Sequence, residues 1–294
     1  MQFLSDNFYP SIKYNFEDIY FGKRGVAVDN LTVTYDSMPG TTVEVNRLSF
    51  IFSPKENSLA NFDVFINGGK LISDLNYVKK NIPTIKKTKD KKDLTDFCFN
   101  IKITNFYIQV KNIFIENASG NAAVSRNEMS AKLSGENFFD GSSFLTFNRK
   151  NDKYSLELGF DLLDAAKFCK VFKLNKNRMT GKFTGNIKTV FVKGNVESLK
   201  GKLYSEGKGK LFFSEAEKYV AAMDNDINKV LIQNITDQLK NYNYLSCDVL
   251  LNYIPKKTNT IITFDFDGEV SDYKFPIYYH ATWLDAIKFI SSFK

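Results

Sequence analysis

NYNYLSCDVLLNYIPKKTNTIITFDFDG, residues 241–268, is the stretch on which the fold turns. It reads as a helix end, a strand, a short polar turn and a second strand. In the first strand Cys247, Val249, Leu251 and Tyr253 fall on one face. In the second, Ile262, Phe264 and Phe266 alternate with Thr263, Asp265 and Asp267. Strict period-two alternation describes a sheet with one apolar face and one wet face. The question it raises is what covers the apolar face.

Similar runs recur along the chain. Leu31, Val33 and Tyr35 alternate with Thr32 and Thr34, VEVNRLSFIF and NFDVFING follow, and FCFNIKITNFYIQV sets Phe97, Phe99, Ile101 and Ile103 on one side. YSLELGFDL sets Tyr154, Leu156, Leu158 and Phe160 against Ser155, Glu157 and Gly159. Three short strands punctuated by Gly194, Gly201 and Gly207 come next. Helical spacing predicts three helices, near 161–172 (Leu162, Ala165, Ala166, Cys169, Phe172), 214–241 (Ile227, Val230, Leu231, Ile235, Leu239) and 282–293. Ser214 and Glu217 have the spacing of a capping box.

Strands separated by turn-length gaps imply antiparallel pairing, since parallel βαβ winding requires a helix after nearly every strand. About 14 to 17 strands at ~4.8 Å would make a sheet on the order of 70–80 Å long. A sheet of that size must curl, split or close. The fold class expected is therefore mainly β: a long curled antiparallel sheet forming an open groove, with about three helices. The expected organisation is an N-terminal strand series over 1–78, a basic flexible linker over 79–96, and a main β-groove with C-terminal helices over 97–294. KKNIPTIKKTKDKK, residues 79–92, has no apolar period and is expected to tolerate deletion.

The 294 residues suffice for a substantial core, and the 28 phenylalanines and 15 tyrosines lean towards strands. The net charge of +7 is spread along the wet sides of the strands, away from the aromatics, which is not the interleaving that nucleic acid requires. Cys98, Cys169 and Cys247 form neither a disulfide framework nor a metal spacing and are expected as buried free thiols. No run approaches the ~20 apolar residues of a membrane span, and the first residues lack the n- and h-regions of an export signal.

Catalytic chemistry lacks its parts. The one histidine, His280, sits in the apolar run FPIYYHATW. SEGKGK lacks the remainder of a phosphate loop. DFDG, residues 265–268, resembles a fragment of a calcium loop without its further ligands. The Asn-x-Ser/Thr triplets, such as Asn30 to Thr32, are what an Asn-rich chain produces by chance. No catalytic residue, cofactor or metal is expected.

The order of elements in the last third carries a resemblance. A Gly-x-Leu strand series, MTGKFTGNIKTVFVKGNVESLKGKLYSEGKGKLFF, precedes LIQNITDQLKNYNYLSCDVLLNY, then TIITFDFDGEV, then FPIYYHATWLDAIKFI. This resembles the C-terminal region of AsmA-like proteins, in particular the YdbH branch. Leu239, Tyr244 and Leu245 match one signature of that region, and Phe264, Phe266 and Gly268 the next. VDNLTVTY, VEVNRLSFIF and FDVFINGGKLIS fit the family's opening strands more loosely. Two departures stand beside the likeness: the family carries an N-terminal membrane anchor and is typically much longer. The resemblance implies a periplasmic, non-enzymatic module that carries phospholipid between inner and outer membranes. If the chain moves lipid, a sheet of ~70–80 Å without a span is expected to work as one segment of a longer path, docked on an anchored partner in the cell envelope. Acyl chains would then cover a face lined by Val249, Leu251, Ile262, Phe264 and Phe266, continued by Phe99, Ile101, Ile103, Leu156 and Leu158. The alternative is a structural or interaction β protein with a closed, dry core. A membrane β-barrel is disfavoured by the helices.

Overall fold

The computed structural model describes residues 12–35, 40–54, 60–73, 97–125, 128–172, 177–193, 195–214, 234, 236–254 and 259–279. The fold is mainly β with an open sheet of mixed strand pairing. It divides into two compact units, residues 1–138 with 145–152, and residues 139–144 with 153–294.

In the first unit the strands run β1 (Ile12–Asn15), β2 (Asp18–Gly22), β3 (Gly25–Tyr35), β4 (Thr41–Pro54), β5 (Ala60–Ser73), β6 (Phe97–Val110), β7 (Ile113–Val124) and β8 (Glu128–Phe138). β1 and β2 both pair with β3, one after the other, and each later strand pairs with its predecessor. All these pairs are antiparallel except β5–β6, which is parallel from Ala60↔Phe97 to Ser73↔Val110. The sheet is thus mostly antiparallel, as the turn-length gaps imply, with one parallel pair. A parallel partner requires a return crossover of a dozen or more residues, and the long interval between Ser73 and Phe97 supplies it. The residue 79–96 stretch therefore joins two paired strands of one unit, and the division between units falls near residue 140 instead. The flexible character expected of that stretch lies outside the described residues.

Cross-strand rows make the apolar face of this unit. Phe21, Val26, Phe50, Val64, Ile101 and Ala122 are successive partners, as are Ile19, Val28, Leu48, Ile66 and Ile103. At one level the alternation takes a three-residue step in four neighbouring strands, Val28 to Leu31, Leu48 to Val45, Ile66 to Gly69 and Ile103 to Phe106, and β7 takes its step one row further on, from Ala118 to Ile115. The residues stepped over include Asn30, Gly68, Asn105 and Asn117, with φ of 52°, 67°, 53° and 49°. Asn46 lies opposite Gly68, and a Cβ on Gly68 would approach the Asn46 amide to 2.6 Å. Asn and Gly tolerate left-handed φ better than other residues. Bulges bend a strand, so bulges aligned across neighbours bend the sheet along one line. Asn30 therefore has a backbone role rather than being an accident of composition.

β9 (Gly141–Lys150) has residues 141–144 in the second unit and 145–150 in the first, and the second unit further contains β10 (Lys153–Asp164), α1 (Ala165–Val171), β11 (Asn177–Met179), β12 (Lys182–Val192), β13 (Asn195–Ser205), β14 (Gly209–Phe213), β15 (Tyr242–Ile254), β16 (Asn259–Gly268) and β17 (Tyr273–Tyr279). Its ladder runs β10–β12–β13–β15–β16–β17, with β11 on β14 and β14 on the start of β15. Gly201 lies inside β13 rather than at a strand end. α1 starts later than the periodicity predicts. Residues 161–164 still belong to β10, and Leu162, with φ of 58°, is exposed in a bulge. Asp164 caps the helix by accepting the Lys167 N–H at 3.0 Å. Of the helix expected over 214–241, residues 214, 234 and 236–241 are described; 234 and 236–239 are helical, whereas 214, 240 and 241 lie in turns. The helix expected over 282–293, His280, Ile227, Val230, Leu231, Ile235 and Glu217 lie outside the described residues.

Candidate functional site: an apolar trough in the second unit

The core of the second unit is organised as rows running across its strands. One row is Phe160, Gly185, Leu203, Val249 and Phe264; the next is Leu158, Ile187, Gly201, Leu251 and Ile262. Each partner in a row projects to the same side of the sheet. Gly185 and Gly201 sit in the middle of these rows, on adjacent strands, and bring no side chain to them. At Gly185 the missing side chain lets β13 approach closely, since a Cβ there would lie 2.0 Å from Lys202 O, and the hollow is lined by the larger side chains of the rows. A Cβ at Gly201 would come within 3.0 Å of Ile187 Cγ1 and 3.2 Å of Leu251 Cδ1, so the neighbours already crowd in around the gap.

The floor lies one row further on. Phe183 and Cys247 are buried there, and the Cys247 N–H donates to Ser205 Oγ at 2.8 Å. Phe266 is 1% exposed and packs edge-on to Tyr242 at 5.7 Å and against Tyr244 at 5.3 Å. Phe264 stacks on Phe266 with ring centroids 6.0 Å apart. The parity of this floor depends on two further bulges. In β10 the inward residues step from Phe160 to Leu163, and in β15 from Tyr244 to Cys247.

Two tyrosines anchor the floor through glycines. The Tyr244 hydroxyl donates to the Thr180 carbonyl, and a Cβ on Gly209 would lie 2.3 Å from that hydroxyl oxygen. The Tyr242 hydroxyl donates to Ser271 O at 2.6 Å, and a Cβ on Gly268 would lie 2.0 Å from it. Burial pushes both the Tyr244 phenol and the Cys247 thiol far up, because the charged forms cannot be solvated there. The Cys169 thiol is raised for the same reason. Cys169 and Cys247 are buried free thiols, whereas Cys98 is only half-buried, which corrects the expectation for it.

One flank is closed by α1, whose Ala165, Phe168 and Cys169 face the hollow, and another by Met179, Leu211 and Phe213 of β11 and β14. The result is a trough of about 430 Å³, and among the described residues that line it Arg178 alone is charged. That volume lies within the ~300–1,000 Å³ typical of small-molecule sites. On the wet face Asp265 pairs with Lys274, and Asp248 with Lys202 at 3.2 Å. The DFDG carboxylates are therefore on the side away from the trough. Among the described residues no group of three or more His, Cys, Asp or Glu side chains converges as a metal site would.

Val249, Leu251, Ile262 and Phe264 thus come together, with Phe266 beneath them. Leu158 and Leu156 continue the Phe160 side of β10 beyond the trough's lining. Phe99, Ile101 and Ile103 belong to the apolar face of the first unit and take no part in this site. The lining residues not anticipated are Leu163, Phe168, Arg178, Met179, Phe183, Ile187, Leu203, Leu211 and Phe213. For Phe183, Leu203 and Leu211 the Phe-x-Gly and Gly-x-Leu spacings, 183–185, 201–203 and 209–211, place a glycine and an apolar residue on one strand face. That pattern is the signal by which they were findable.

Among the described residues no helix is long and apolar enough to cross a membrane. Comparison with known proteins finds no matching family model, no matching curated protein and no matching solved structure.

Proposed function

We propose that the chain is a non-enzymatic lipid-binding module whose trough takes an acyl chain, in the manner of a phospholipid carrier of the bacterial envelope. The observation that carries this reading is the trough itself: a concave, almost wholly apolar hollow of about 430 Å³ set in the middle of a sheet face. Each methylene withdrawn from water into such a site gains roughly 0.8 kcal/mol. A polar metabolite would find no hydrogen-bonding set there. The apolar rows of the first unit, whose Phe99, Ile101 and Ile103 remain half-buried, are a second face suited to the same cargo. Periplasmic location and phospholipid as cargo follow the AsmA-like resemblance and, with an anchored envelope partner, are part of the proposal.

The test is mass spectrometry of lipids extracted from the purified, folded chain. The wild type is expected to carry diacyl lipid in stoichiometric amount, and Leu251→Asp to lose most of it. Absence of lipid from the wild type, with Leu251→Asp simply less stable, would favour the closed structural core instead.

A further inference from the structure

The first unit ends, at its β2–β3 hairpin, in Phe21–Gly22–Lys23–Arg24–Gly25. Phe21 is 77% exposed, yet its partner Val26 and the next partner Phe50 place it on the apolar side of the sheet. The end of β4 lies alongside. Ile51 is the partner of Gly25, and the Phe52 N–H donates to the Arg24 carbonyl at 2.8 Å. Phe50, Ile51 and Phe52 are 37%, 41% and 44% exposed. Lys23 and Arg24 are exposed at the tip and have no carboxylate partner among the described residues. Cations within the same sheet do: Arg47 pairs with Asp29 at 3.5 Å and Lys70 with Glu44 at 3.0 Å.

We infer that this hairpin end is a docking surface for a bilayer containing anionic lipid. The apolar side chains gain by entering the interfacial zone, where aromatic rings are favoured. The two cations reach the headgroup layer at the same time, and each basic residue near such a surface adds about 1 kcal/mol. An acidic protein surface would satisfy Lys23 and Arg24 but would leave the Phe21 side chain without its gain. The inference goes beyond the trough reading and does not depend on it, since it concerns the other unit.

The experiment is flotation of the full chain with phosphatidylglycerol-containing vesicles and with pure phosphatidylcholine vesicles. Binding is expected to the anionic vesicles, and to weaken with added salt. The variant Phe21→Ser/Lys23→Glu/Arg24→Glu is expected to bind about thirtyfold more weakly or worse, at about 1 kcal/mol for each of the two basic residues near the surface. The control Lys193→Glu/Lys200→Glu, with the same number of charge reversals on exposed residues of the second unit, is expected to bind as the wild type does. No binding by the wild type, equal binding by the hairpin variant, or equal loss in the control would each overturn the inference. Retention of co-purified lipid by the hairpin variant, and of vesicle binding by Leu251→Asp, separates the two sites. Should the lipid-cargo reading fail, vesicle docking would still stand or fall on its own result. Capture of an acidic protein or of nucleic acid by the wild type without vesicle binding would likewise count against it.

Discussion

Gly209 shows how much a single atom decides in this protein. Its missing Cβ is where the Tyr244 hydroxyl lies, and the Thr180 carbonyl is 2.4 Å from the same point. A methyl group there must displace a buried ring or its hydrogen bond. Gly209→Ala is expected to cost about 2–3 kcal/mol by overpacking, read as a lowered urea midpoint, whereas Gly207→Ala, with nothing within 4 Å of its Cβ but a φ of 105°, should cost only about 1 kcal/mol. The buried thiol and phenol beneath the trough make a second residue-scale prediction. In the unfolded chain Cys and Tyr ionise near ~8.5 and ~10. In the fold both Cys247 and Tyr244 are raised. Their contribution is therefore intact below about pH 8.5 and is lost as the pH rises from there towards the folded values. Urea midpoints measured from neutral pH to about pH 10 should fall, and the fall should be shallower in Cys247→Ala.

Elements in this chain are shaped by where alternation breaks. Asn105 sits at φ 53° between Ile103 and Phe106, both on the apolar side. A β-branched residue pays roughly 1–2 kcal/mol in that conformation and glycine does not. Asn105→Val should accordingly lower stability by about that amount, while Asn105→Gly should be close to neutral, in chemical denaturation of the full chain. A break of this kind is hard to read in advance. Period two is legible beside Asn30 and Asn105 and ahead of Leu162, but the step that breaks it looks like a strand end or a helix start. For Leu162 it was read as a helix start, and the structure shows a bulge followed by a helix beginning at Ala165.

At the scale of the whole molecule, the parallel β5–β6 pairing overturns one expectation about the basic stretch. The chain leaves β5 at Ser73 and re-enters at Phe97 beside Ala60, thirteen strand positions back. At about 3.3 Å per residue that distance is on the order of 43 Å. With 79–92 deleted, residues 74–78 and 93–96 could reach only about 36 Å at full extension. The deletion is therefore expected to break the β5–β6 pairing and lower the stability of the first unit, contrary to the tolerance that composition suggests. Replacing 79–92 by an equally long Gly/Ser segment should restore it, with hydrogen exchange on β6 as the readout.

Residues 241–268 settled by themselves which side chains share a face. The alternation of Val249, Leu251, Ile262, Phe264 and Phe266 against Asp265 and Asp267 admits only one register once one face is buried. It was also enough to set the class as mainly β, because turn-length gaps leave room for little else. What sequence could not settle is which strands meet. Rows such as Phe160, Gly185, Leu203, Val249 and Phe264 join residues more than one hundred positions apart. The hollow exists because side chains of β10, β12, β13, β15 and β16, with α1 along one flank, arrive around one space. Pairing order is a property of the assembled sheet, set by crossover length and by bulges that change parity. Local periodicity carries no information about either.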